Sequence, residues 1–438
     1  VKLARAQFAL LCAVAATSLV SIFAAQVAFA LAFAAGLARW VLGQARPESL
    51  APGAPMLAFS VWTLLAAAFS GDPVASHEDA KKLVLFTLVY LFADALAERG
   101  QRERVLDAAF LGGALLAAGA LLEWAALGFD TLDNRPRSFV GHYMTASGLF
   151  MGIACLGSAR LLFSHEPWAR PPRLQVRLLF SLAGGLVLLA LLRRQELFAV
   201  EGERLFVAAL AAAALALALD RAAQEPGAWR GLTALAVVLS LLALLVSRTR
   251  SAWLGALAGL VLLALLRAPR LLWALAALLA ALAVVRPAPV VERLTLRDAS
   301  SLDRLYMWRA GLDMIADKPL FGHGPGRVID VYPRYRWPQA PNPDAPHLHD
   351  NLLQIAAERG LPCVLWSLWL FFVLARDAWR ELRRGEALAG ACSLAVLAAV
   401  TVAGLFEYNF GDSEVLMLTL LATSLPYAAG RERRLALA

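Results

Sequence analysis

Charge is what this sequence has least of. Asp, Glu, Lys and Arg supply 17% of its 438 residues, against about 25% in a soluble chain, while hydrophobic residues reach 60%. Mean hydropathy is +0.63. The missing charge is concentrated in nearly uncharged blocks of roughly 15–20 residues, the length that crosses about 30 Å of hydrocarbon. That excludes an ordinary soluble domain. Cysteine is scarce as well. Cys12, Cys155, Cys363 and Cys392 all lie in or beside apolar runs, without metal-ligand spacing, so neither a metal cluster nor a disulfide framework is expected. A cleavable signal peptide is not evident, because the first apolar block runs on past Ala30.

The apolar blocks fall at about 8–24, 26–43, 55–69, 82–97, 105–125, 143–163, 176–192, 204–219, 231–247, 252–266, 270–285, 362–376, 388–405 and 414–429. The fold expected is an all-α polytopic membrane protein with about 12 to 14 transmembrane helices, the pair 176–192 and 204–219 being the least secure. An even number puts both termini on one side. Lys2, Arg5, Arg431, Arg433 and Arg434 make that side the cytoplasm. Arg99, Arg102 and Arg104 fall inside, as do Arg160, Arg170, Arg173 and Arg177, Arg267 with Arg270, and Arg376, Arg380, Arg383 and Arg384.

The same count leaves one long segment outside, 286–361. It divides the chain into an N-terminal bundle (1–285), a partly helical extracytoplasmic loop (286–361) and a C-terminal unit of helices and tail (362–438). Connections of about 75 residues are uncommon and usually functional. Several arginines run against the orientation rule by lying outside. They are Arg248 and Arg250 in Ser247-Arg-Thr-Arg-Ser251, Arg293, Arg297, Arg304, Arg309 and Arg327, with Arg193 and Arg194 as weaker members. An anionic ligand at the outer face favours such positions, because the guanidinium fork binds phosphate oxygens bidentately. The plain alternative is arginines snorkelling at helix ends.

Within the loop, SLDRLYMWRAGLDMIA (301–316) spaces Leu302, Leu305, Trp308, Leu312 and Ile315 as one face of a helix, suited to the membrane interface. Lys318 to Arg327, with Gly322, Gly324 and Gly326, reads as a turn. It lacks the preceding strand of a nucleotide loop, and the outer compartment offers no nucleotide. The stretch from Pro346 to Pro362 holds two of the six histidines, His347 and His349, at the start of a helix that Asp350 or Asn351 can cap and Gly360 can end. A histidine near a helix N-terminus is disfavoured as a cation, and so stays available as a base. A metal site on His347 and His349 lacks a third ligand in the sequence. Arg137, His142 and Tyr143 enter one span from outside. Glu407, Asp412 and Glu414 stand at the mouth of another, and each group also reads as ordinary interfacial solvation.

These features together resemble the bacterial O-antigen ligases, within the superfamily that includes O-antigen polymerases and protein O-oligosaccharyltransferases. The family's loop motif is a histidine, then Asn, Ser or Gln, nine residues and Gly-x-x-Gly. Here His349-Asp350 is followed by nine residues and Gly360-Leu-Pro-Cys363, with Asp350 and Cys363 departing from the pattern. Thr249-Arg-Ser-Ala-Trp-Leu254 is similar to the family's Ser/Thr-Arg-Gly-Ala-x-Leu segment. Arg304 and Trp308 ahead of Pro319-Leu-Phe-Gly322, the Gly141–Thr145 segment and the Glu407–Glu414 stretch also match.

The resemblance implies inverting, metal-independent transfer of a glycan from undecaprenyl diphosphate at the periplasmic face. His349 would be the base, and Arg250 and Arg304 the catalytic clamp on the diphosphate. Substrate contacts fall to Arg248, His347, Arg194, Arg137, His142, Asp350 and Asn351. The partners expected are that donor, lipid A-core or another glycan acceptor, and membrane lipids, with no cofactor and no nucleic acid. Polymerase and protein-glycosylating activities remain alternatives within the family. A transporter of an anionic solute is the alternative outside it; it would carry its charges near the midplane, whereas these lie at the outer rim.

Overall fold

A computed structural model describes residues 2–45, 48–127, 135–164, 228–270, 272–273, 280 and 299–437. The expected spans 176–192 and 204–219, most of 270–285, and Arg193, Arg194, Arg293 and Arg297 lie outside the described residues. Within them every regular element is helical. The helices are α1 (Lys2–Thr17), α2 (Ile22–Val41), α3 (Gly53–Ala68), α4 (Pro73–Ala80), α5 (Thr87–Ala95), α6 (Arg99–Leu127), α7 (Tyr143–Phe163), α8 (Ala228–Val246) and α9 (Arg250–Arg267). There follow α10 (Ala299–Asp317), α11 (Val328–Tyr335), α12 (Asn351–Arg359), α13 (Leu361–Arg383), α14 (Ala387–Ala403) and α15 (Ser413–Leu437). Among the described residues five segments are long and apolar enough to cross a membrane: Ile22–Val41, Arg99–Ala126, Tyr143–Phe163, Arg250–Arg267 and Leu361–Arg383. Gly53–Ala68, Arg230–Val246 and Ala387–Ala403 are shorter apolar helices. The expected all-α polytopic class holds.

The first boundary is earlier than the hydropathy suggests. The expected spans 8–24 and 26–43 are divided at 18–21, because Ser21 caps α2 by accepting from the Ala24 amide. The expected span 82–97 likewise opens as a 3-10 turn over Lys81–Phe86 before α5. Small residues then let the helices approach closely. Gly255 and Gly259, four apart on α9, face Ala399 and Ala395 of α14, and a methyl group on either would meet backbone oxygen there. Arg160, near the end of α7, is buried and paired with Glu103 and with Asp107 of α6 at 2.6 Å. It is a helix-packing charge rather than a loop charge.

The two ends of the bundle differ in chemistry. One end carries Arg39 on Asp94 (2.6 Å), Arg431 on Asp94 (2.8 Å), Arg434 on Glu48 (2.6 Å) and Arg102 on Glu432 (2.5 Å). The other gathers the segments around His142, Arg250, His349 and Glu407. Above that end α10, α11 and α12 form a small second core of Met307, Ala310, Met314, Val328, Tyr332, Leu348 and Ala357. The inward stripe of α10 is thus Met307, Ala310 and Met314, which the sequence reading did not identify. Leu302, Leu305 and Leu312 of the expected stripe are exposed, at 50%, 61% and 58%.

Candidate active site

The site is built where two loops, distant in sequence, meet. Asp350 caps α12, its carboxylate accepting from the Leu353 amide at 2.8 Å. Asn351 opens the helix and staples it to the α14–α15 loop: its amide donates to Gly404 O (2.7 Å), and its side-chain oxygen accepts from the Phe410 amide (3.3 Å). Gln354 reaches back to accept from the Leu348 amide at 2.7 Å, which fixes the residues carrying both histidines. Gly360 ends α12 at φ +80°, packed against Leu320 O, where a side chain has no room. Gly322, Gly324 and Gly326 form the expected turn, and the Gly324 amide donates to Glu358 O at 2.8 Å.

His349 is presented by this scaffold in the left-handed region, at φ +51°. Among the described non-glycine residues only Ser138, Arg248 and His349 have positive φ, and two of those three are expected site residues. Backbone in that region costs of order 1–3 kcal/mol and persists where surrounding structure enforces it. The Nδ1 of His349 lies 3.1 Å from both carboxylate oxygens of Glu407. Glu407 is buried, and the Arg304 guanidinium stands 3.5 Å from its Oε2. His347 packs edge-on against His349, with ring centroids 4.2 Å apart, and its Nδ1 is 3.9 Å from Glu407.

The electrostatics follow from burial and these neighbours. Burial would raise the Glu407 carboxyl, but the hydrogen bond and charge of His349, then His347 and Arg304, outweigh it and hold the group at about 2. Glu407 is therefore an anion that takes the Nδ1 proton of His349 as a hydrogen bond. With Nδ1 engaged by the carboxylate, Nε2 is the ring nitrogen left to meet a substrate. Burial, then the neighbouring His349, pushes His347 down to about 4, so it is neutral near pH 7. Burial lowers His142 as well. Asp412, also held in the α14–α15 loop, is pushed up to about 7 by burial despite a hydrogen bond from Thr145.

Arg250, the first residue of α9, donates to Ser301 Oγ at 2.9 Å, and Ser301 lies one turn before Arg304 on α10. The two expected clamp residues are thus brought to one helix end. Arg248 sits two residues earlier, in the turn before α9. His142 precedes α7 and lines the same cavity as His347 and Glu407. Arg137 is exposed, its amide donating to Glu123 Oε2 at 2.9 Å. Asp350 and Asn351 are engaged in capping and stapling. Arg194 lies outside the described residues.

The cavity holds about 360 Å³. Its polar residues include His142, His347, Asp79, Glu358, Glu407, Asp412, Lys82 and Arg359, and its length is lined by apolar side chains of α3, α13, α14 and α15, among them Phe59, Leu370, Leu374, Leu397 and Leu420; His349, Arg250 and Arg304 do not line it. Sequence reasoning missed the partnership of Glu407 with the histidines and the position of Lys82, whose Nζ donates to Gly411 O at 2.8 Å. Glu407 also supplies what the histidine pair lacked as a cation site, since ligand atoms of His347, His349 and Glu407 lie within 4.8 Å of one another. The Arg304 charge beside Glu407 and the hydrogen-bonding distance of His349 weigh against a cation there. Compared with known families, residues 235–368 match the one described as O-antigen ligase, a segment that includes Arg248, Arg250, Arg304, His347 and His349 and stops short of Glu407. A comparison with curated proteins gives no match.

Proposed function

We propose, with the likeness to O-antigen ligases as premise, that this chain transfers a glycan from undecaprenyl diphosphate to lipid A-core at the periplasmic face of the bacterial inner membrane. The loop 286–361 is its catalytic loop. The observation that carries this reading is the His349–Glu407 pair, 3.1 Å apart, beside a cavity apolar along its length. The apolar length suits part of the polyprenyl tail, and Arg250 and Arg304, which stand outside the cavity lining, would meet the diphosphate. His349 Nε2 takes the proton of the acceptor hydroxyl as its oxygen attacks C1 of the donor sugar. The C1–O bond to phosphate breaks on the opposite face, and its electron pair leaves on the lipid diphosphate. That inverts C1 and uses no nucleotide. Arg250 and Arg304 stabilise the charge growing on the leaving group, which favours the transition state over the ground state.

The test is reconstitution. Purified protein, a lipid-diphosphate glycan and lipid A-core, with a chelator present, should yield glycan-bearing lipid A-core. Long glycan polymers in place of that product would move the acceptor assignment to polymerase. Failure with every acceptor, in vesicles that instead move a solute, would remove the enzyme reading itself.

A further inference from the structure

The leucines that α10 exposes lie on the flank opposite its inward stripe. On a helical projection Met307, Ala310 and Met314 share one side and Leu302, Leu305 and Leu312 the other, while Arg304 and Trp308 stand between, towards the site. The helix is held at three points along its length. At its start Ser301 accepts from Arg250, the first residue of α9. Near its middle Trp308 meets Phe406, just past the end of α14, with ring centroids 6.3 Å apart. Beyond its end Pro319 O accepts from the amide of Leu361, the first residue of α13, at 2.8 Å. Each point is the same-side end of an apolar helix. A helix of about 28 Å, at 1.5 Å per residue, tied to three such ends lies across them, parallel to the membrane plane. Its inward stripe faces the loop core above, so the leucine flank faces down and outwards.

Exposed apolar surface continues beside the middle of α10 and beyond its C-terminal end. Leu405 follows α14 and is 42% exposed, and Leu320 and Leu361 are 52% and 49% exposed where the loop enters α13. Such a belt in a membrane protein fits lipid chains rather than water. We infer that α10 is seated in the outer leaflet, with Leu302, Leu305 and Leu312 among the acyl chains, so that the loop rests on the bilayer through its first helix. Arg304, on the same helix, is thereby held at the level of phosphate groups. This last clause rests on the proposed function; the seating does not.

The experiment uses spin labels on L305C, L312C, Q339C and L365C in the full chain, reconstituted in phospholipid nanodiscs, with signal from the unsubstituted protein subtracted. Leu365 faces outwards on α13, and Gln339 is exposed in the loop after α11. Labels at 305 and 312 should collide preferentially with oxygen, as at 365, while the label at 339 collides preferentially with a water-soluble nickel chelate. If 305 and 312 share the nickel preference of 339, the helix is not in the leaflet. The readout is independent of transfer, so it separates this inference from the enzymatic one.

Discussion

The imidazole of His349 is defined by what holds its other nitrogen. Removing it should abolish transfer while leaving the protein inserted, because it is a loop side chain and general-base catalysis supplies about 10²–10⁴-fold. Glu407→Gln keeps the shape of its partner and removes the charge. We expect kcat to fall at least about tenfold with little change in KM, since the carboxylate orients the base and stabilises its protonated form. Equal kcat for Glu407→Gln and wild type would detach Glu407 from the chemistry. His347→Ala should be milder than His349→Ala. Arg250→Lys and Arg304→Lys keep charge but lose the fork, so transfer at matched protein levels should drop strongly in both.

Burial of neutral His347 has its own consequence. Its folded value of about 4 lies below the ordinary 6.5, so the unfolded chain binds the extra proton between those values. The stability it contributes is complete above 6.5 and is lost as pH falls towards 4. Unfolding temperature should therefore decline over that window, and His347→Gln should flatten the decline.

At the scale of elements, nearly all the described helices outside the loop were legible because an uncharged block of the right length has few other solutions. Boundaries were less so, as Ser21 and the 3-10 turn at Lys81 are set by caps and packing that hydropathy does not register. Asp350 was legible as a cap and Gly360 as a stop. The inward stripe of α10 was not, because Met307, Ala310 and Met314 become a core only once Leu348 and Tyr332 arrive from elsewhere. Two substitutions probe this level. Gly259→Leu should separate α9 from α14 and reduce folded protein in the membrane, with Arg250 displaced. Gly360→Ala should lower the unfolding temperature, since φ +80° and contact with Leu320 O leave a methyl group no room. Unchanged melting of Gly360→Ala would mean that the α12–α13 junction yields easily.

For the molecule as a whole, the arginine count gives a testable assignment of sides. Cysteines at Gln339 and Arg384 should differ on intact cells treated with an impermeant thiol reagent, position 339 labelling and position 384 remaining protected. The reverse pattern would overturn the orientation, and with it the periplasmic site. Half of the candidate site could be read in one dimension because His347, His349 and Asp350 fall within four consecutive residues. Glu407 could not, because it lies 58 positions and three helices (α12, α13 and α14) beyond His349, and only the packed bundle closes that gap.

That separation bears on how such proteins can be recombined. A graft exchanging residues 235–368 between two homologous chains would transplant His347, His349, Arg250 and Arg304 yet leave the carboxylate with the recipient. The hybrid should work only where the host supplies an acid at the position of Glu407. Where the host does not, installing one there should restore turnover without any change inside the transplanted segment.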